Sequence, residues 1–133
     1  MAKSTDTKMF TALCVDDDNQ LRPLVAHILQ VAGFAVTEAG TCAEAKKALL
    51  HETPSVVVLD VDLPDGNGFD MAKEWRGNGQ PSLPILFISG GEQTERMEKA
   101  SQLNAAFLPK PFAPATLLAA VNVLLPGFKI NLV

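Results

Sequence analysis

Aspartates are concentrated in two short windows of the sequence. Six of the eight lie there, namely Asp16, Asp17, Asp18, Asp60, Asp62 and Asp65. Carboxylates held close together repel, which raises their pKa values unless a cation neutralises the charge. Mg²⁺ prefers oxygen ligands and is usually held by one or two carboxylates together with phosphate oxygens. The clustering therefore predicts a magnesium site.

Ser89 and Lys110 add a hydroxyl and an ammonium to these carboxylates. Each stands directly or closely after a short apolar run. A lysine ammonium binds phosphoryl oxygens as a point charge, and a hydroxyl can donate to another oxygen. A transition metal is disfavoured, because His27 and His51 lie away from these runs. The set predicts phosphoryl transfer to a carboxylate, in which positioning and charge neutralisation supply most of the catalysis.

Five short apolar runs must position these side chains, and a segment of helical periodicity follows each one. The runs are Phe10–Val15, Phe34–Thr37, Val56–Leu59, Ile85–Ile88 and Ala105–Leu108. This alternation is typical of βαβ units, and it predicts an α/β fold: a flavodoxin-like doubly wound (βα)5 domain whose five-stranded parallel sheet has the order 2-1-3-4-5. A closed (β/α)₈ barrel needs about 250 residues and is excluded by length. Ligands of open α/β sheets bind at the carboxyl ends of the strands, so the side chains above are expected on one rim.

The helices are predicted from apolar periodicity and from capping residues. The expected segments are about Asn19–Ala32, a second helix opening with the capping box Thr41–Glu44, about Gly68–Arg76, about Glu92–Leu103, and Pro114 to about Leu125. Pro23 lies inside the first of them and removes a backbone donor, so a kink or a late start is expected there.

Composition indicates which kinds of partner and which cellular compartment to expect. The net charge of −4 gives no basic footprint, so direct nucleic-acid binding is not expected. No stretch reaches the ~18 apolar residues of a membrane span, and the polar start does not resemble a signal peptide. Cys14 and Cys42 form no disulfide framework, which favours the reducing cytoplasm. We expect a disordered lead-in at 1–8, one domain at 9–125, and a tail or start of a linker at 126–133.

Five motifs, taken in order, carry a resemblance to a known family. They are Cys14–Asp18, Val57–Asp60, Pro64–Gly68, Ile88–Gly90 and Phe107–Phe112. Their order and spacing resemble the receiver (REC) domain of two-component response regulators, from about Phe10 to Leu125. The resemblance implies a cytoplasmic signalling domain that catalyses only its own phosphorylation and dephosphorylation.

The resemblance also implies a role for each acidic residue. Asp60 would accept a phosphoryl group from a partner histidine kinase or phosphotransfer protein. Asp16 and Asp17 would hold Mg²⁺, together with Asp60 and the backbone carbonyl of Asp62. Lys110 would contact the phosphoryl group.

Two further residues would act as the switch of such a domain. Ser89 would move to bond the phosphoryl group, and Phe107 would turn inward on activation. The surface formed by the fourth helix, fifth strand and fifth helix would change and pass the signal to a downstream effector domain or protein. The Lys110–Pro111 peptide bond would be cis, as it usually is in this family.

Two other functional classes compete with this interpretation. Leu59–Asp62 resembles the nucleophile motif of haloacid-dehalogenase-type phosphatases, with Asp60 as nucleophile and Asp62 as acid/base. That motif usually opens the first strand, however, and no aspartate follows Asp70 to hold the metal. A flavodoxin-like cofactor module is the other alternative. The acidic run after the first strand would repel a phosphate, and the chain has no tyrosine to stack on a flavin.

Two structural questions stay open at this point. Asp18 is as well suited to cap the first helix as to bind an ion. The fifth helix has no charged residue from Ala113 to Phe128, so its apolar side chains wrap most of its circumference. Either a homodimer or neighbouring domain contacts this helix, or the apolar tail from Gly127 to Val133 folds back over it.

Overall fold

Five parallel strands form the central sheet of the computed structural model, which describes residues 10–128. They are Thr11–Val15 (β1), Ala35–Ala39 (β2), Val56–Asp60 (β3), Ile85–Ser89 (β4) and Ala106–Pro109 (β5). Every neighbouring pair is parallel, in the order β2-β1-β3-β4-β5, which confirms the predicted fold. The expected lead-in at 1–8 and the end of the tail at 129–133 lie outside the described residues.

Five helices cover the two faces of the sheet. They are Leu21–Ala32 (α1), Cys42–His51 (α2), Gly68–Gly77 (α3), Gln93–Gln102 (α4) and Pro114–Leu124 (α5). A short antiparallel hairpin, Asp62–Leu63 with Gly66–Asn67, lies between β3 and α3. None of the described helices is long and apolar enough to cross a membrane.

The central strands are buried on both sides, as a parallel sheet covered by helices requires. All five residues of β3 and of β4 are buried. One core cluster packs side chains such as Leu59 and Phe87 against α2, α3 and α4. A second packs alternate side chains, such as Val58 and Ile88, against α1 and α5. The strands are thereby fixed in position, and their carboxyl ends are left to carry the polar residues.

Helix starts follow from local capping groups. Asp18 Oδ1 accepts hydrogen bonds from the N–H groups of Gln20 and Leu21 at 2.8 and 3.0 Å, so this carboxylate caps α1. Pro23 therefore lies in the first turn, where its missing N–H would have no partner within the helix. The helix begins at Leu21, two residues later than Asn19, and the expected late start is observed. At α2, Thr41 Oγ1 accepts from the Glu44 N–H at 3.0 Å.

The apolar fifth helix is only partly covered. Leu117 and Val121 are buried against the sheet, whereas Val123 is 78% exposed. Beyond the helix, Phe128 folds back into the same core cluster and stacks on Phe34, with ring centroids 4.2 Å apart. Phe128 thus packs against the core beside Phe34, and Val123 of α5 stays exposed. Whether the rest of the tail covers α5 stays a prediction, because residues 129–133 lie outside the described residues.

Candidate functional site

The carboxyl ends of β1, β3, β4 and β5 bring polar side chains to one rim of the sheet. Asp16 follows β1, Asp60 ends β3, Ser89 ends β4 and Lys110 follows β5. Lys110 Nζ lies 3.2 Å from Asp16 Oδ2 and 3.3 Å from Asp60 Oδ2. The ammonium therefore joins the ends of three strands. The Lys110–Pro111 peptide bond that follows is cis.

Three carboxylates form the acidic centre of this rim. Asp16, Asp17 and Asp60 each place one oxygen within 4.8 Å of the others. Asp16 and Asp60 are buried, while Asp17 is exposed. The backbone orients the two buried groups, because Asp16 Oδ1 accepts from the Asp18 N–H at 2.9 Å and Asp60 Oδ1 accepts from the Asp62 N–H at 3.4 Å. Backbone hydrogen bonds thus hold the two buried carboxylates, and the cluster is open to solvent at Asp17.

The other clustered aspartates have different surroundings. Asp65 accepts from the N–H groups of Cys42 and Ala43 at 2.7 and 3.0 Å, and so it caps α2. These bonds lower its pKa, that from Cys42 most. Asp18 caps α1, and its pKa is lowered in the same way. The aspartate clustering in the sequence therefore reflects helix capping as well as the site.

Burial dominates the electrostatics of Asp60. The pKa of this carboxyl rises from 3.8 to about 7, first because it is buried and then because it faces Asp16, although Lys110 opposes the shift. The pKa of Lys110 is also raised: burial of the ammonium lowers it, but the attraction of Asp60 and Asp16 outweighs burial. One ammonium is therefore too little positive charge for this group of carboxylates.

The acidic centre fits a hard cation. Asp16 Oδ2 is buried and accepts no hydrogen bond from the described residues; its nearest partner is the Lys110 ammonium. An oxygen in that state can accept a cation without losing a hydrogen bond. The donors are all carboxylate oxygens, the ligand type that suits Mg²⁺. Both free cysteines, Cys14 and Cys42, are buried outside the cluster.

Ser89 and Phe107 lie on the neighbouring strands β4 and β5. Ser89 is fully buried, and its Oγ accepts from the Gly91 N–H at 3.3 Å. Phe107 pairs in register with Phe87 of β4 and is half-buried against the core. Ser89 therefore lies at the carboxyl end of β4, on the rim that carries the acidic centre, whereas Phe107 lies two residues further back along β5, opposite Phe87.

Two arginines that the sequence did not single out contact the site. Arg96 of α4 donates to the Ser89 hydroxyl and pairs with Asp62, with Nη1 2.8 Å from Oδ2 and Nη2 3.2 Å from Oδ1. Arg22 of α1 donates to the backbone carbonyl of Asp16 at 2.8 Å. Neither arginine belongs to a local motif, because each reaches the site only through the packing of its helix.

Asp62 is unsuited to the acid/base role of the phosphatase alternative. The hydrogen bond from Arg96 lowers its pKa, so this carboxyl stays ionised and has no proton to give. Its side chain is 65% exposed and points to the guanidinium. The ion pair with Arg96 therefore leaves Asp62 without the free proton that an acid/base partner of Asp60 would need.

Comparison with known proteins agrees with this arrangement. The family model described as the response regulator receiver domain matches residues 12–122. The transcriptional regulatory protein GltR of Pseudomonas aeruginosa is 35% identical over 115 residues, which are 85% of this chain and 48% of that protein. The chemotaxis response regulator CheY4 of Vibrio cholerae superposes with a TM-score of 0.81 at 32% identity, covering 89% of this chain and 100% of CheY4.

A second solved structure has the same fold in an activated form. It is described as a BeF3-activated DrrB receiver domain, with a TM-score of 0.81 and 28% identity, covering 90% of this chain and 99% of that one. The chain spans about half the length of the curated relatives it matches. Nothing in these matches supports the phosphatase alternative. The chain belongs to the receiver-domain family of two-component response regulators.

Proposed function

We propose that Asp60 is the phosphoacceptor of this receiver domain. The observation that carries the proposal is the position of this buried carboxylate, 3.3 Å from the Lys110 ammonium and in one cluster with Asp16 and Asp17. An Asp60 oxygen would attack the phosphorus of a phosphohistidine on a histidine kinase or phosphotransfer protein. The bond from phosphorus to the donor nitrogen would break, and the imidazole would leave with the electron pair.

The neighbouring side chains divide the remaining tasks. Asp16, Asp17 and Asp60, with the backbone carbonyl of Asp62, would hold Mg²⁺. The ion would neutralise the charge of the carboxylates and of the incoming phosphoryl group. Lys110 would bind a phosphoryl oxygen, and the distance of 3.3 Å between its ammonium and Asp60 Oδ2 supports this role.

Ser89 and Phe107 would transmit the change. A phosphoryl group adds about −1.5 to −2 charges and three acceptor oxygens, which favours movement of the Ser89 hydroxyl toward Asp60. Phe107, on the neighbouring strand β5, would then turn inward. The surface of α4, β5 and α5 would then present a different face to a downstream effector domain or protein.

Other expectations stay predictions. The domain limits at 9–125, the cytoplasmic location and the lack of direct nucleic-acid binding are inferred from composition and pattern. Contact of α5 with a second copy of the chain is supported by the exposure of Val123. Catalysis would be confined to the domain's own phosphorylation and dephosphorylation.

Acetyl phosphate provides the experiment that tests the proposal. With Mg²⁺ present, the wild-type chain should gain the mass of one phosphate, and Asp60→Asn should gain none. Asp62→Asn is the matched control, because it removes a carboxylate two residues away and should keep the gain. A phosphorylated Asp60→Asn protein would contradict the assignment.

A further inference from the structure

Arg96 connects two groups that the proposed function does not connect. Its guanidinium donates to Asp62 on the solvent side and to the buried Ser89 hydroxyl on the inner side. The arginine side chain is only 23% exposed, although α4 is otherwise a solvated helix with Ala100 as its one buried described residue. The ion pair with Asp62 therefore anchors a guanidinium that would otherwise extend into solvent.

The loop before α4 makes room for this contact. A Cβ atom added to Gly91 would lie 2.8 Å from Arg96 Cζ and 3.0 Å from Nε, so no other residue fits there while the guanidinium keeps its place. The preceding Gly90 is different: a Cβ there would meet only Lys110 Cβ, at 3.9 Å, an ordinary contact. Gly91 is thus the position at which a single methyl group would displace the arginine.

The contact holds Ser89 where it is. Its Oγ accepts both from Arg96 and from the Gly91 N–H, so the two acceptor positions of the hydroxyl are filled. Both donors are on the α4 side of β4. A shift of the hydroxyl toward a phosphoryl group on Asp60 must break the bond to Arg96 or draw the arginine along.

We infer that the Arg96 guanidinium is a latch, by which we mean a hydrogen-bond donor that stabilises the unphosphorylated position of Ser89. The ion pair with Asp62 holds the guanidinium in place, and the absence of a side chain at Gly91 leaves room for it. The inference rests on the proposed function of Asp60 and Ser89. An interaction made in only one of two states shifts the equilibrium toward that state by its own free energy. The latch therefore opposes phosphorylation and activation, and weakening it should favour the phosphorylated form. Arg96 acts as a positioning residue, through Ser89.

Binding of fluoroberyllate with Mg²⁺ provides a direct test, since this anion is an equilibrium mimic of the phosphoryl group. Gly91→Ala displaces the guanidinium and Arg96→Lys replaces its fork by a single ammonium, and both keep the net charge of the chain. Each variant should bind the mimic about three- to tenfold more tightly, the range expected for loss of one hydrogen bond of ordinary strength. Gly90→Ala is the matched control and should bind like the wild type.

A double-mutant comparison separates the latch from general damage to the fold. In a Ser89→Ala background, Gly91→Ala should no longer change the affinity for fluoroberyllate, because the Ser89 hydroxyl that the substitution would release is absent. Circular dichroism and urea unfolding check that each variant is folded; if Gly91→Ala is not, Arg96→Lys alone decides.

The outcomes distinguish the latch from the function on which it rests. Variants that bind the mimic with wild-type affinity would overturn the latch alone. Weaker binding would also overturn it, and would show that Arg96 follows Ser89 and binds the phosphoryl group itself. A wild-type chain that binds no fluoroberyllate would contradict the proposed function as well.

Discussion

Asp60 carries its charge at a cost to the folded protein. Its folded pKa of about 7 exceeds its ordinary value of 3.8, because the group is buried and faces Asp16, with Lys110 only partly compensating. Between these two pH values the folded protein retains a proton that the unfolded chain has lost. The contribution of Asp60 to stability is therefore largest below pH 4 and falls as pH rises toward 7.

This sign leads to a prediction for the metal-free protein. Asp60→Asn should resemble the wild type below pH 4, where the Asp60 carboxyl is neutral in both the folded and the unfolded chain. Its relative stability should increase as pH rises, to about 1–2 kcal/mol above the wild type at pH 8, after discounting for solvent screening. Urea unfolding in a chelating buffer measures both proteins across this range. A stability difference that does not change with pH would contradict the prediction, and added Mg²⁺ should reduce the difference at pH 8.

The acidic run after β1 contains a matched pair for testing the metal site. Asp17 belongs to the cluster of three carboxylates, whereas Asp18 caps α1. Asp17→Asn should weaken Mg²⁺ binding by on the order of tenfold, about 1.4 kcal/mol, through loss of a ligand charge. Asp18→Asn should bind Mg²⁺ almost normally, because asparagine caps helices as well as aspartate does. Calorimetry that gives equal affinities for both variants would contradict the assignment.

Residue type and strand position were enough to predict which side chains meet. Asp60 and Lys110 were expected on one rim because each stands after an apolar run, and the structure puts their charged atoms 3.3 Å apart. Arg96 could not be predicted in this way. Its contact with Ser89 depends on how α4 is placed over β4 and on the absence of a side chain at Gly91, and neither is a property of a local pattern.

At the scale of elements, α3 begins and ends in glycine for different reasons. A Cβ on Gly68 would clash with the backbone carbonyl oxygen of Asp60, whereas one on Gly77 would meet nothing within 4 Å. The Gly68 N–H also donates to the Val61 carbonyl at 2.7 Å. The close approach at Gly68 holds α3 against the end of β3, beside Asp60.

Alanine at the two positions should therefore act in opposite directions. Gly68→Ala should lower the free energy of unfolding by about 1–3 kcal/mol, because backbone must move to admit the methyl group. Gly77→Ala should leave it unchanged or raise it by up to about 1 kcal/mol, since alanine favours the helix. Urea denaturation of the pair is the measurement. A Gly68→Ala protein as stable as Gly77→Ala would show that the close approach is unimportant.

The sequence predicts helix starts closely where a capping side chain or a proline in the first turn defines them. Thr41 and Pro114 predict two such starts, and α2 and α5 begin at Cys42 and Pro114. The start of α1 was placed two residues too early, at Asn19. The side chain of Asp18 accepts from the N–H groups of Gln20 and Leu21, so a turn at residues 19–20 precedes the helix, and pattern alone does not separate this turn from the helix.

At the scale of the whole molecule, the site lies at one end of the sheet and the proposed output surface along one side. Ser89 ends β4, Phe107 lies within β5, and α4 and α5 flank them. Strand β2 is at the opposite edge of the sheet. A signal that passes through Ser89 and Phe107 should therefore stay on one side of the molecule.

Amide exchange can detect this asymmetry. Fluoroberyllate with Mg²⁺ should change protection in residues 89–112 and leave Ala35–Ala39 of β2 unchanged, because the added charge acts on the β4–β5 side. Asp60→Asn treated in the same way should show no change. Equal protection in residues 89–112 with and without the mimic would argue against a switch on that surface.

The central claim is that one carboxylate, Asp60, becomes covalently phosphorylated, and chemical trapping tests it most directly. Borohydride reduces an aspartyl phosphate to homoserine, which marks the modified residue permanently for peptide sequencing by mass spectrometry. After treatment with acetyl phosphate and Mg²⁺, followed by borohydride, homoserine should be found at position 60. Homoserine at position 16, 17 or 62 instead, or at none of the aspartates despite a gain of phosphate mass, would contradict the account.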